Sequence, residues 1–201
     1  MKAILLSIKP KWVAKILNGE KTIEVRKTMP KCDLPIDVYI YCTKGKGIKN
    51  FVSMYKRDLS TDEIVGGCYI NGKVIAKFTL NKVEEIGCYS KGCYPYPYST
   101  DILLPDELEE KSCLTNKELE NYLGTKDCSV GSVGYAWHIS NLVIFDKPKE
   151  LSEFKRWVFY KKCESCPHGK CDYDYGLCSQ CCEIKSLAKA PQSFCYIESE
   201  E

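Results

Sequence analysis

The sequence predicts a mixed α+β fold built around a small β-barrel, and three observations predict it. Short, β-branched, alternating runs recur along most of the 201 residues, few helix patterns interrupt them, and the spacing of the runs calls for pairing between strands distant in sequence. A hydrophobic content of 44% suffices for a buried core at this length.

Residues 2–8 run apolar and alternate, a strand that ends before Lys9-Pro10. Pro10 suits the first turn of a helix, where its missing N–H costs nothing; Trp12, Val13, Ile16 and Leu17 then recur at helical spacing, and Gly19 supplies the stop. Residues 22–26 read as a short strand with Ile23 and Val25 toward the core and Thr22, Glu24 and Arg26 sharing the opposite face. Residues 36–42 form another strong strand, followed by a basic, glycine-containing loop over 43–47. The Asn71-Gly72 dipeptide predicts a hairpin joining residues 65–70 to residues 72–80. Residues 86–130 read as an inserted helical segment with two short helices, the second marked by the Thr115–Glu118 capping box and by Gly124. Within it, the Tyr-Pro alternation over 94–98 predicts a rigid extended loop. Residues 135–139 and 142–145 are further strands.

Charge is unevenly distributed. Residues 1–57 hold 13 Lys/Arg against 4 Asp/Glu, whereas the remainder holds 16 against 23. A basic N-terminal region is where phosphates would gather through counterion release. No stretch of about 18 uninterrupted apolar residues is present, and Lys9 follows the first apolar run too early for a secretory signal, so the expected location is cytoplasmic, without a membrane partner.

The motif that carries chemistry is Gly19-x-Lys21-x-x-Glu24-x-Arg26. Glu24 and Arg26, two apart on a strand, can pair on one face, and Arg26 can offer its planar fork to a phosphate or a base edge. This G-x-K-x-x-E-x-R pattern resembles the signature of the ASCH domain, a family with a PUA-like β-barrel. The surrounding order is similar too: Leu6-Ser7-Ile8-Lys9-Pro10 leads into a helix, the signature strand follows, and Trp137-His138-Ile139 precedes Asp146-Lys147-Pro148. Residues 190–196 resemble the closing strand of phage- and prophage-type members. The resemblance implies a barrel over residues 1–150, with residues 190–201 as its closing strand and tail. It also implies a cleft binding RNA or a modified nucleotide, lined by Lys9, Lys21, Thr22, Glu24, Arg26 and His138, with Gln192 and Ser193 on the closing strand and Trp12 or a tyrosine available to stack.

Two other functions stay open at this point. Some members resembling this chain in the signature are amidohydrolases that deacetylate N-acetylcytidine, with a catalytic lysine where Lys21 stands. Those enzymes carry threonine at the place of Glu24, and a later strand supplies a glutamate where residues 73–80 here offer Ala76 and Lys77. An amidohydrolase or ribonuclease chemistry would then fall to Lys21 and Glu24. The third possibility is a protein-interaction module docking through a metal-bound segment. Fourteen cysteines in a chain without a secretory signal point to metal rather than disulfides. Cys163-x2-Cys166 and Cys178-x2-Cys181 have the spacing of a structural zinc knuckle, with Cys171 as a possible substitute and His168 and Cys182 nearby. Residues 151–189 are therefore expected to form a zinc-binding appendage.

Overall fold

The structure, a computed structural model, describes residues 2–45, 53–57, 64–88, 98–124, 131–159 and 182–198. The order is β1 (Lys2–Ile8), α1 (Pro10–Leu17), β2 (Ile23–Arg26), β3 (Ile36–Cys42), β4 (Ser53–Arg57), β5 (Ile64–Tyr69), β6 (Val74–Leu80), β7 (Val83–Cys88) and β8 (Tyr98–Ser99). There follow α2 (Pro105–Ser112), α3 (Asn116–Leu123), β9 (Gly131–His138), β10 (Ser140–Lys149), β11 (Lys155–Phe159), β12 (Cys182–Ser186) and β13 (Phe194–Glu198).

This is a mixed α/β arrangement in which strand order departs from sequence order. A five-stranded sheet runs β10-β6-β3-β1-β13, and a four-stranded sheet runs β2-β9-β7-β8. The chain end closes against its beginning: β13 pairs antiparallel with β1, Leu6 opposite Phe194 and Lys2 opposite Glu198. On its other side β1 lies parallel to β3, so it is central and reads as a nearly unbroken apolar run, buried from Ala3 to Ile8.

The hairpin expected at Asn71-Gly72 does not form. The turn is real, with Gly72 in the left-handed region at φ +85° and its N–H donated to Cys42 O. But β6 is paired on both sides, by β3 and β10, and so has no free ladder for β5, which pairs with β4 instead. The dipeptide encoded a turn, and the choice of partner was a tertiary decision.

Among the described residues three apolar cores result. The first lies between the two sheets and takes Ile4, Leu6 and Ile8 of β1, Val13 and Ile16 of α1, Val38 and Ile40 of β3, Phe78 and Leu80 of β6, and Trp137 of β9. The second lies on the other face of the four-stranded sheet, where Ile23, Val25, Ile86 and Ala136 meet Leu108 of α2 and Leu119 and Leu123 of α3. The third covers the far face of the five-stranded sheet with Leu5, Tyr39, Tyr41, Phe154, Leu187 and Ile197. The four-stranded sheet is thus covered on both faces, and this decides the fate of the charges on β2. No helix among the described residues is long and apolar enough to cross a membrane.

Candidate functional site

β2 is the edge strand of the four-stranded sheet, and all four of its residues are buried. Ile23 and Val25 enter the core under α2 and α3, as their alternation predicts. Glu24 and Arg26 point the other way, into the space between the sheets, because Glu24 sits opposite Trp137, whose indole belongs to the inter-sheet core. The expected polar face is therefore an interior. Thr22 precedes the strand and is exposed, its N–H donated to Lys111 O.

A charge in such a place must be paired. Lys21, Glu24 and Arg26 are only 2%, 7% and 6% exposed and form one network. Glu24 is the centre: one carboxylate oxygen lies 3.3 Å from Lys21 Nζ and the other 2.9 Å from Arg26 Nη2. Lys21 Nζ also donates to Ser112 O at the end of α2, at 2.7 Å. Arg26 Nη2 donates to Ser7 O at 2.8 Å, and Nη1 to Ser193 Oγ at 3.3 Å. Ser7 in turn is held by the segment before β13, its N–H donated to Ser193 O and its hydroxyl to Pro191 O. The signature thus ties α2, β1, β2 and the chain's closing segment together.

Two cations face one carboxylate, and the network is not complete. Burial pushes the Lys21 ammonium below the usual lysine value, and the Glu24 carboxylate opposes that shift. Arg26 Nε and the fully buried Trp137 Nε1 are the two buried side-chain polar atoms, among the described residues, that find no hydrogen-bond partner. A buried donor without an acceptor is rare in a folded protein and costs about 1–3 kcal/mol.

Two aromatic rings flank the network. Trp12 of α1 is partly buried, with Lys21 Nζ 5.4 Å and Lys11 Nζ 4.2 Å from its ring centroid. Tyr122 of α3 is half-exposed; burial raises its phenol, and the neighbouring Arg26 guanidinium opposes the shift. Lys27 Nζ lies 5.6 Å from the Tyr122 ring on the solvent side. α3 can come this close because Gly134 carries no side chain: a Cβ there would meet Leu123 at 2.5 Å and Arg26 O at 3.2 Å.

The opposite face of the same sheet carries a second polar group of a different kind. His138 sits opposite Ile23 and Glu84 opposite Ala136, so both share the face of the second core. Glu84 accepts from His138 Nε2, from Lys82 Nζ at 3.3 Å and from Thr100 Oγ1 at 3.1 Å. Burial pushes the Glu84 carboxyl up, but the hydrogen bonds from His138 and Lys82 outweigh it and hold the group below the usual glutamate value.

Of the residues expected in one cleft, the structure brings together Lys21, Glu24, Arg26 and Ser193. It places His138 on the other side of the sheet, Lys9 exposed ahead of α1, and Gln192 exposed beside Ser193. Ser7, Ser112, Tyr122 and Trp137 were not foreseen as part of the site. Ser7 and Ser112 enter through backbone oxygens, which no side-chain pattern reveals; Trp137 had a signal in its alternation with His138. Cys163, Cys166, Cys171, Cys178 and Cys181 lie outside the described residues, and among the described residues no group of three or more His, Cys, Asp or Glu side chains is placed to hold a metal ion.

Comparison with known proteins agrees with the signature. A family model described as the ASCH domain matches residues 6–161, more than half of the chain. No curated protein matches the chain.

Proposed function

The chain belongs to the ASCH domain family, and on that premise we propose that it binds RNA or a modified nucleotide at its signature residues Lys21, Glu24 and Arg26, on and beside the edge strand β2. The observation that carries this reading is the incomplete buried network: Arg26 is locked in place through both terminal nitrogens while its Nε finds no acceptor among the described residues. A purely structural ion cluster at this depth would be expected to satisfy its donors. Trp12 and Tyr122 supply flat surfaces on which a base can stack, and exposed Lys11 and Lys27 beside them give the backbone its electrostatic attraction.

The test is a gel-shift series with a single-stranded RNA over increasing salt. Affinity falls as salt rises, and Arg26→Ala weakens binding at every salt concentration. Salt-independent or negligible binding to any RNA or DNA overturns the reading.

One observation favours a second function. Lys21 is a desolvated amine 3.3 Å from a carboxylate, an arrangement suited to proton transfer or amide hydrolysis. Incubation with N-acetylcytidine and measurement of acetate decides it: release lost in Lys21→Ala supports an amidohydrolase, and equal release from wild type and variant removes it. The cysteine segment is proposed to hold one structural zinc ion, independently of either function.

A further inference from the structure

Lys11 of α1 has one partner on its own helix and one on α3. Its Nζ lies 4.2 Å from the centre of the Trp12 ring and 3.5 Å from Glu118 Oε1. The ring itself packs against the first and the second core and has Lys21 Nζ of the buried network 5.4 Å from its centre. Glu118 shares a side of α3 with Tyr122, four residues on, and Tyr122 is the neighbour of Arg26. The ion pair therefore joins the two helices whose rings flank the signature network. Its side chains are 63% and 44% exposed, so a solute in water reaches both.

The two carboxylate oxygens of Glu118 have different duties. Oε2 accepts from Thr115 N at 3.1 Å and from Thr115 Oγ1 at 3.3 Å, closing the capping box of α3, while Oε1 takes Lys11. The Thr115 N–H first, and Lys11 after it, hold the Glu118 carboxyl below the usual glutamate value, so it is ionised at neutral pH. The first contact fixes a helix end; the second, between two exposed side chains, is of the kind that contributes little to stability.

We propose that Lys11 and Glu118 form a strap over the Trp12 ring that a nucleotide opens by exchange: the base takes the ring face from the ammonium, and the phosphate takes the ammonium from the carboxylate. The strap rests on the nucleic-acid reading and is separable from it by experiment. A base cannot stack on the face that Lys11 covers unless the ammonium leaves, and a cation on a flexible four-carbon stem leaves at small cost. Once displaced it is an exposed cation beside the base, where a phosphate replaces the carboxylate and the charge stays paired. Inorganic phosphate alone offers nothing to the uncovered ring and meets a carboxylate that Thr115 keeps in place. The strap thus favours a ligand that carries base and phosphate together.

The full chain and its variants are titrated with labelled oligouridylate, and with inorganic phosphate, at one ionic strength. Glu118→Gln preserves the capping box, since glutamine accepts from Thr115 as glutamate does, and removes the charge that faces Lys11. It binds oligouridylate roughly two- to fivefold more tightly than wild type, a gain that damage to the fold would not produce. Glu120→Gln, the same change of charge on another side of α3, alters affinity by less than about 1.5-fold. In a Lys11→Ala background Glu118→Gln brings no further gain. Equal gains from Glu118→Gln and Glu120→Gln, or a gain that persists without Lys11, overturn the strap and leave the nucleic-acid reading standing. Inorganic phosphate that binds with the same gain in Glu118→Gln contradicts the exchange, and binding of oligouridylate by none of the proteins overturns the reading and the strap together.

Discussion

The two faces of the four-stranded sheet carry two polar networks of opposite character, each centred on a buried glutamate. On the face under α2 and α3, Glu84 is enclosed by His138, Lys82 and Thr100, one carboxylate surrounded by three donors. On the inter-sheet face, Glu24 serves two cations and, among the described residues, still leaves Arg26 Nε and Trp137 Nε1 without acceptors. A saturated network can be understood as structure, because it stabilises nothing beyond itself. An unsaturated one retains a cost that a ligand can remove. If the unsaturated face takes the ligand, as proposed, substitutions at Arg26 and at His138 should differ in their effect on binding.

The largest effect expected from breaking this contrast comes from Glu24. Glu24→Gln leaves Lys21 and Arg26 as two buried cations without a counter-charge, and equilibrium urea unfolding should show a loss of about 3–5 kcal/mol. Replacing the whole network sharpens the point. The triple change Lys21→Met, Glu24→Leu and Arg26→Met exchanges buried charge for apolar volume and should unfold within about 1–2 kcal/mol of wild type while losing RNA binding. A triple variant as unstable as Glu24→Gln would mean the network is a structural clasp first.

Next is the saturated face. Glu84 has its folded value held below the ordinary 4.5, so the stability it contributes is present above that pH and is lost as pH falls through the folded value. Glu84→Gln should therefore flatten the decline in melting temperature between about pH 5 and pH 3, without changing RNA affinity at neutral pH. The smallest effect is chemical. Cys42 is buried in the inter-sheet core and its thiol is pushed up to about 12 by that burial, so it should resist alkylation at pH 8 in the folded protein and react once the chain is denatured. Labelling of Cys42 in native protein would show that the inter-sheet core opens.

Much of this was readable in the sequence where local chemistry decides. Pro10, the Thr115–Glu118 box and the Gly124 stop marked helix ends that the structure reproduces, with Thr115 Oγ1 accepting from Glu118 N and Gly124 at φ +82°. The alternation of Ile23 and Val25 located one core. What the pattern of β2 alone could not show was that its other face is also covered, since that depends on a distant strand, β13, within the segment the resemblance marks as closing, pairing with β1. For the same reason Glu24 and Arg26 look like surface charges in a linear reading and prove to be interior ones. The mistaken hairpin at Asn71-Gly72 has the same origin, a local signal correct for the turn and silent about partners. His138 was adjacent to Trp137 in sequence, yet adjacency on a strand sends neighbours to opposite faces.

One comparison tests whether the ligand sits on the unsaturated face. The affinity of a single RNA oligonucleotide is measured in one buffer for wild type, Arg26→Ala and His138→Gln, each first shown to be folded at the assay temperature. The account predicts a loss of roughly tenfold or more for Arg26→Ala and a change within about twofold for His138→Gln. Equal losses in the two variants, or a larger one at His138, would contradict it.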